Sequence, residues 1–341
     1  MKKIIGLFLA FSISVSGLMA QATTVADLIS DGIRLHDKGD YTGAIELYKK
    51  ALLIDKKSAY ANYEMASSYF AMKDYENTIR HSNYVIDANS DYIDQAYILK
   101  GSAYDLAGKP LDAIKTYKAG IKKYAANHLL YYNMALTYYT LKQFKDSDDA
   151  LQHALKINPS HASSHLLLCQ SMIKQENRMK SILALYNFLL LEPKGSRTGP
   201  AVNLLEELLK KGVKKENEKA STITLPIKKD TDEFYTAELM LSLLESSKTS
   251  EANKNKTASE LFAENTNSIF TILGELKKEK KDFWWNFYVD YFYTIAVNNH
   301  TEAFCYYITQ LKEDTYSEWL KTNLPKLEAF SEWYIKYAHK F

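Results

Sequence analysis

The sequence predicts an all-α protein, an α-solenoid of helical hairpins followed by a helical C-terminal region. Three observations carry that reading. Small residues recur in three columns at a spacing of about 34 residues across residues 25–195. Helix breakers are scarce, with 12 Gly and 6 Pro in 341 residues. Tyr is abundant, at 26, and large rings with a polar tip suit the packing of long helices.

The period shows when Lys38–Ala51 is laid beside Lys142–Ala154. Each has an aromatic at the turn (Tyr41, Phe144), a small residue three on (Ala44, Ser147) and another seven later (Ala51, Ala154). Extending the pattern gives five units, 25–58, 59–92, 94–127, 128–161 and 162–195, with Ile93 as one extra residue. The eighth position holds Gly32, Ala66, Gly101, Ala135 and Cys169. The twentieth holds Ala44, Thr78, Ala113, Ser147 and Ser181, and the twenty-seventh Ala51, Val85, Gly120, Ala154 and Phe188. Large residues, Leu35, Tyr69, Tyr104, Tyr138 and Met172, fill the eleventh. Pro159 and Pro193 close two units where a helix cannot continue.

On these columns, residues 25–195 resemble an array of tetratricopeptide repeats (TPR), helix–turn–helix units of this period. The resemblance implies that helices A and B of each unit cross closely at the eighth and twentieth positions, where a large side chain would force them apart. Three of the five units depart from the pattern. Unit 2 has Thr78 and Val85, unit 3 has Pro110 for the turn aromatic, and unit 5 has Arg178 there and Phe188 in a small column.

The resemblance also implies a function. In TPR folds the A helices line a concave face that holds protein or peptide segments. Its second, fifth, ninth, twelfth and thirteenth positions point into the groove. Here unit 2 supplies Tyr60, Tyr63 and Phe70, and unit 4 supplies Leu129, Tyr132, Leu136 and Tyr139. Unit 1 supplies Ile29, Ile33 and His36, and unit 3 Ile98, Asp105 and Leu106. The expected groove is aromatic and mostly uncharged, and the same rings could instead pack internally. The Lys/Asn clamp that one TPR subclass uses for a C-terminal carboxylate is missing: the fifth and ninth positions are Ile29 and Ile33, Tyr63 and Ser67, Tyr132 and Leu136.

Ahead of the array, Met1-Lys2-Lys3 is a basic start and Ile4–Leu18 an apolar run too short to span a bilayer. Small residues at Ala20 and Ala22 complete a signal peptide over 1–22. No Cys follows the run to take a lipid. The expectation is an exported protein, periplasmic or extracellular, without stable membrane insertion. A net charge of +2 gives no basic excess for nucleic acid. The two cysteines, Cys169 and Cys305, sit in apolar helical runs and read as buried free thiols.

Past the array, residues 196–229 read as a loop at 196–200, a capping helix from Asn203 to Gly212 and a Lys/Glu-rich solvated linker from Lys210 to Lys229. Residues 230–341 read as an aromatic-rich helical region, with helices over Asp230–Ser247, Ala258–Lys277, Thr301–Leu311 and Ser317–His339. Phe283–Tyr293 is its most aromatic stretch, and Asn298–His300 a turn. Tyr291 and Ala303 fall at the eighth and twentieth positions of a degenerate hairpin. The ring cluster reads as core, with a carbohydrate or peptide platform as the competing reading.

Chemistry is not written into the chain. There is no phosphate-binding Gly-rich loop, dinucleotide fingerprint, HExxH or GxSxG. Ser171–Lys174 spells SxxK without its partner motifs, and His161 and His165 lack a third ligand. No cofactor, metal or catalytic residue is expected. The leading reading is a non-enzymatic scaffold that binds protein segments. The competitor is a hydrolase or glycan-binding module at 230–341 with the repeats as accessory.

Overall fold

The computed structural model describes residues 24–88, 91–215, 221–224, 233–311 and 313–337. The proposed signal peptide, 1–22, lies outside the described residues. The chain forms two compact bodies, one ending at Tyr92 and the other beginning at Ile93, the extra residue between the second and third units.

The N-terminal body holds α1 (Val25–Asp37), α2 (Tyr41–Ile54), α3 (Ala59–Ala71) and α4 (Tyr75–Asp87). A capping box starts α1, with Thr24 accepting from the Asp27 amide while the Asp27 carboxylate accepts from the Thr24 amide. The C-terminal body continues with α5 (Ile93–Leu106), α6 (Pro110–Lys123), α7 (His128–Thr140), α8 (Phe144–Ile157), α9 (Ala162–Lys174) and α10 (Arg178–Leu191). Each consecutive pair of helices is one sequence unit, packed as an antiparallel hairpin.

One turn closes all five hairpins. The fifteenth residue of each unit is left-handed: Gly39, Lys73, Gly108, Lys142 and Glu176, with φ of 82°, 62°, 75°, 60° and 60°. Its amide reaches the carbonyl three residues back, and the next amide reaches the carbonyl five back. In unit 4 these are Lys142 N to Tyr139 O and Gln143 N to Tyr138 O, both 2.9 Å. This is a Schellman ending, which satisfies carbonyls that the helix leaves open. In units 1 and 2 the residue that completes it, Asp40 or Asp74, also caps the following helix by accepting from the Gly43 or Asn77 amide.

The small columns lie where the hairpin helices meet. Ala44, Ala66, Ala113, Ala135 and Ala154 are fully buried, and Gly32 and Gly101 are buried as well. A Cβ on Gly32 would lie 2.3 Å from the Tyr48 ring, and one on Gly101 2.3 Å from the Tyr117 ring. Both tyrosines occupy the twenty-fourth position of their units. Units 2 and 4 instead pair Ala66 with Ser82 and Ala135 with Leu151, so the two positions share one volume.

Beyond the array come α11 (Thr198–Lys210), β1 (Val213–Lys215), β2 (Ser221–Ile223), α12 (Tyr235–Ser247), α13 (Ala258–Lys277), a π-helical turn (Trp284–Val289), α14 (Asp290–Val297), α15 (Thr301–Ile308) and α16 (Glu313–Tyr337). Several expectations need correction. The capping helix starts at Thr198 rather than Asn203, because Pro200 fits a first turn whose amides need no helical partner. The stretch expected as a linker contains a hairpin, Val213 opposite Ile223, closed by a 2.7 Å bond from Thr224 N to Gly212 O. α12 starts at Tyr235, later than expected, and α15 stops at Ile308. α16 starts at Glu313 and kinks at Asn323, two residues before Pro325.

The hairpin α14–α15 repeats the array's turn. Asn299 is left-handed at φ 59°, with Asn299 N to Ala296 O at 3.0 Å and His300 N to Ile295 O at 2.9 Å. That turn shifts the register by one from the expected Tyr291 and Ala303. Phe292 takes the eighth position and Phe304 the twentieth. Two rings cannot occupy a close crossing. Phe270 of α13 and Tyr186 of α10 both touch the pair, with centroids 4.7–5.8 Å apart. The hairpin keeps its turn and packs on α13 more than on itself.

α10 is the centre of this region. Every residue from Ser181 to Leu190 is buried, and α11, α12, α15 and the π-helical turn all pack on it. Trp284, Trp285, Tyr288, Tyr291 and Phe292 are core residues, which is the first of the two readings of that stretch. Cys169 and Cys305 are buried free thiols, as expected, and burial pushes the Cys169 thiol up to about 12.

Candidate partner-binding surface

The candidate surface centres on α7, whose sequence has no charged face. HLLYYNMALTYYT carries no Asp, Glu, Lys or Arg. One side packs into the solenoid through Leu130, Met134, Ala135, Thr137 and Tyr138. Leu129, Tyr132, Leu136 and Tyr139, spaced three, four and three apart, form a single stripe on another side. Leu129 and Leu136 are 36% and 37% exposed, and Tyr132 and Tyr139 are half-buried. Water normally selects charge on such a side of a surface helix.

The two rings are held from beneath. Tyr139 meets Phe144 edge-on at 5.6 Å. Tyr132 meets His161 edge-on at 4.8 Å, and His161 meets His128 at 4.9 Å. Both imidazoles stand at helix N-termini, His128 as the first residue of α7 and His161 as the cap of α9. The positive end of the helix dipole disfavours their protonation. Burial, with His128 and Arg197 adding like charge, pushes His161 down to about 4, and burial lowers His128. The patch is therefore uncharged at neutral pH. Arg197 is engaged with Glu192 and donates to Ser163 Oγ at 3.0 Å. On α5, Ile98 and Asp105 are half-buried and Leu106 is exposed.

In the N-terminal body the expected residues take a different arrangement. Tyr60 and Tyr63 both stack on Tyr92, with centroids at 4.8 and 5.5 Å, and Phe70 meets Tyr75 edge-on at 6.1 Å. All three are half-buried. Ile29 is a correction: it is 3% exposed and belongs to the core with Leu28, Ile45 and Tyr48, so it lines no groove. His36 bonds Ser68 Oγ at 2.8 Å.

Two residues with large structural roles were not singled out for them from sequence. Arg178, buried at the start of α10, donates to Leu208 O, Leu209 O and Ser242 Oγ at 2.7, 2.6 and 2.8 Å. It closes the C-terminal end of α11, and buried Glu238 accepts from the Met179 amide at the start of α10. The signal was a charge where the repeat has an aromatic. His165 is fully buried. Its Nε2 donates to Pro159 O at 2.8 Å, which leaves Nδ1 to accept from Tyr288 Oη at 2.7 Å. With both nitrogens engaged it has none left for a metal shared with His161. Among the described residues no group of three or more His, Cys, Asp or Glu is arranged to hold a metal.

Residues 32–73 match the TPR repeat family and residues 129–161 match the tetratricopeptide repeat family. The chain carries tetratricopeptide repeats. A TPR repeat-containing protein of Methanocaldococcus jannaschii is 25% identical over 139 residues, which is 38% of this chain and 24% of that protein's length. Among solved structures, similar TPR proteins include YrrB, described as having an unusual peptide-binding site (TM-score 0.41, 14% identity, 55% of this chain and 94% of that one). Others are a thermophilic TPR protein of Thermus thermophilus (0.44, 15%, 55% and 99%) and PilF of Pseudomonas aeruginosa (0.46, 15%, 55% and 83%). Within the described residues no helix is long and apolar enough to cross a membrane.

Proposed function

We propose that this TPR protein is a non-catalytic scaffold that holds an uncharged, apolar segment of a partner protein along the A helices of its C-terminal body. The observation that carries this is the charge-free stripe of α7, Leu129, Tyr132, Leu136 and Tyr139, whose leucines remain over one-third exposed. Rigid rings and leucines of this kind desolvate a segment at little cost in side-chain entropy. Tyr60, Tyr63 and Phe70 form a second contact surface of the same chemistry in the N-terminal body. The scaffold acts after export, with a mature chain beginning at Gln21 or Thr23. The reading is supported by Lys2-Lys3 and the Ile4–Leu18 run, and intact mass of the purified protein tests it. The glycan-platform alternative gains no support from rings that are buried.

Panning a displayed random-peptide library on the full chain tests the surface, with Leu136→Asp as the control. Enriched peptides should be apolar and poor in charge. Because Leu136 is 37% exposed, they should lose about tenfold or more in affinity for Leu136→Asp, measured at a temperature where the melts of both proteins show them folded. Failure to enrich, or equal binding to both proteins, rejects the surface.

A further inference from the structure

A separate feature of the C-terminal body lies between α11, α12 and α13. There a cavity of about 200 Å³ has apolar walls from Val202, Leu205 and Leu209 on α11 and Phe262 on α13. Two Glu/Lys pairs also line it: Glu206 with Lys210 on α11 and Glu245 with Lys248 on α12. Glu245 is buried, and its Oε1 lies 2.7 Å from Lys248 Nζ. The other pair is looser, at 3.4 Å, and more exposed.

This lining is a specific combination. An acceptor for an ammonium and a donor for a carboxylate stand side by side against an apolar wall. A ligand of one charge would bring a like charge against one member of the close pair, whereas a zwitterion satisfies both. Size narrows the choice. An apolar cavity of about 150 Å³ takes a benzene ring, and drug-sized ligands need roughly 300 Å³ or more. The space therefore suits one large apolar side chain and the carbon that bears its two charged groups. From this geometry we infer that the cavity binds a free α-amino acid of leucine, methionine or phenylalanine size. Its α-ammonium lies on Glu245, its α-carboxylate on Lys248, and its side chain against Val202, Leu205, Leu209 and Phe262. The site is independent of the A-helix surface. It is mechanically tied to repeat 5, because the Leu209 carbonyl is held by Arg178 of α10.

Isothermal titration of the full chain with L-leucine, L-methionine and L-phenylalanine tests the inference. At least one should bind with Kd below about 1 mM. N-acetyl-L-phenylalanine and L-phenylalaninamide, each lacking one charge, should bind at least about tenfold more weakly than L-phenylalanine, as should any of the three to Lys248→Gln. Ala258→Trp, at an exposed first residue of α13 that lines the cavity, should abolish binding and leave the melting temperature unchanged. The inference is overturned if none of the three amino acids titrates, or if the capped derivatives bind as tightly. Unchanged affinity in Lys248→Gln overturns it as well, and this arm stands even where Ala258→Trp perturbs α13.

Discussion

The hairpins α7–α8 and α14–α15 end their first helices on the same turn, yet only the first closes. Lys142 and Asn299 are both left-handed, and their flanking amides make the same pair of bonds. The difference lies in two columns. Ala135 and Ser147 let α7 and α8 meet, and Ser147 Oγ donates to Ala135 O at 2.9 Å across the crossing. Phe292 and Phe304 hold α14 and α15 apart and bring Phe270 and Tyr186 onto the pair. Local turn chemistry makes a hairpin. Side-chain volume at the crossing decides whether that hairpin joins a solenoid or becomes the wall of an aromatic core.

Phe292→Ala should show the largest effect. The ring is fully buried among five others, and its loss should cost about 3–5 kcal/mol in a denaturant titration. The reciprocal change, Ala135→Leu, puts bulk where the solenoid needs none and should cost about 1–3 kcal/mol. A Phe292→Ala protein with an unshifted midpoint would mean that the rings fill space without supporting the region.

Acid should separate the two regions. Burial lowers His165 to about 4 from 6.5. Between those values the unfolded chain takes up a proton that the folded chain refuses. Stability from this group is complete above about 6.5 and falls as pH drops toward 4, by on the order of 3 kcal/mol. His161 and His81 act in the same direction. Asp148 opposes them. Burial raises its carboxyl from 3.8 to about 6, so the folded state protonates first and gains as pH falls through 6. His165 joins α9 to Tyr288, whereas Asp148 of α8 accepts from Gln175 Nε2 at the far end of α9, at 2.6 Å. Amide exchange at pH 5 should therefore loosen the π-helical turn and the first turn of α9 before α8, where Asp148 opposes the loss. Uniform loosening would mean that His165 is not the weak point.

Within the regular hairpins, Gly101→Ala should cost about 1–3 kcal/mol because its Cβ overlaps the buried Tyr117 ring. In a Tyr117→Leu background, which copies the Ala135/Leu151 pairing of unit 4, the same change should be nearly neutral. A double-mutant cycle measures the coupling, and additive costs would refute a shared volume.

The columns were legible in sequence because each records a short-range requirement repeated five times. So were the turn at Asn298–His300 and the extent of α13. Arg178 and His165 were not, since their partners lie as far as 64 and 123 residues away and no repeat marks them beforehand. Ile29 read as groove-lining from its position alone, yet its side chain is drawn into the α1–α2 core. The register of the last hairpin was missed by one residue because Ala303 matches the small twentieth column, and only the left-handed Asn299 fixes the count. The stripe on α7 was legible as chemistry, since a helix without charge is visible in thirteen letters.

The smallest effect concerns the turn itself. Units 1 and 3 place glycine at the left-handed position, and units 2, 4 and 5 place Lys73, Lys142 and Glu176 there. A side chain in that conformation costs roughly 1–2 kcal/mol, partly offset because glycine loses more freedom on folding. Lys142 is exposed and bonded through its backbone, so Lys142→Gly removes strain and little else. It should stabilise the chain by about 0.5–1 kcal/mol. Asn299→Gly should gain less, because Asn tolerates the left-handed region better than Lys. Lys142→Leu keeps the strain and should be close to neutral. If glycine proved destabilising at 142, the turn would be a consequence of helix packing, and the likeness between the closed and the open hairpin would lose its local cause.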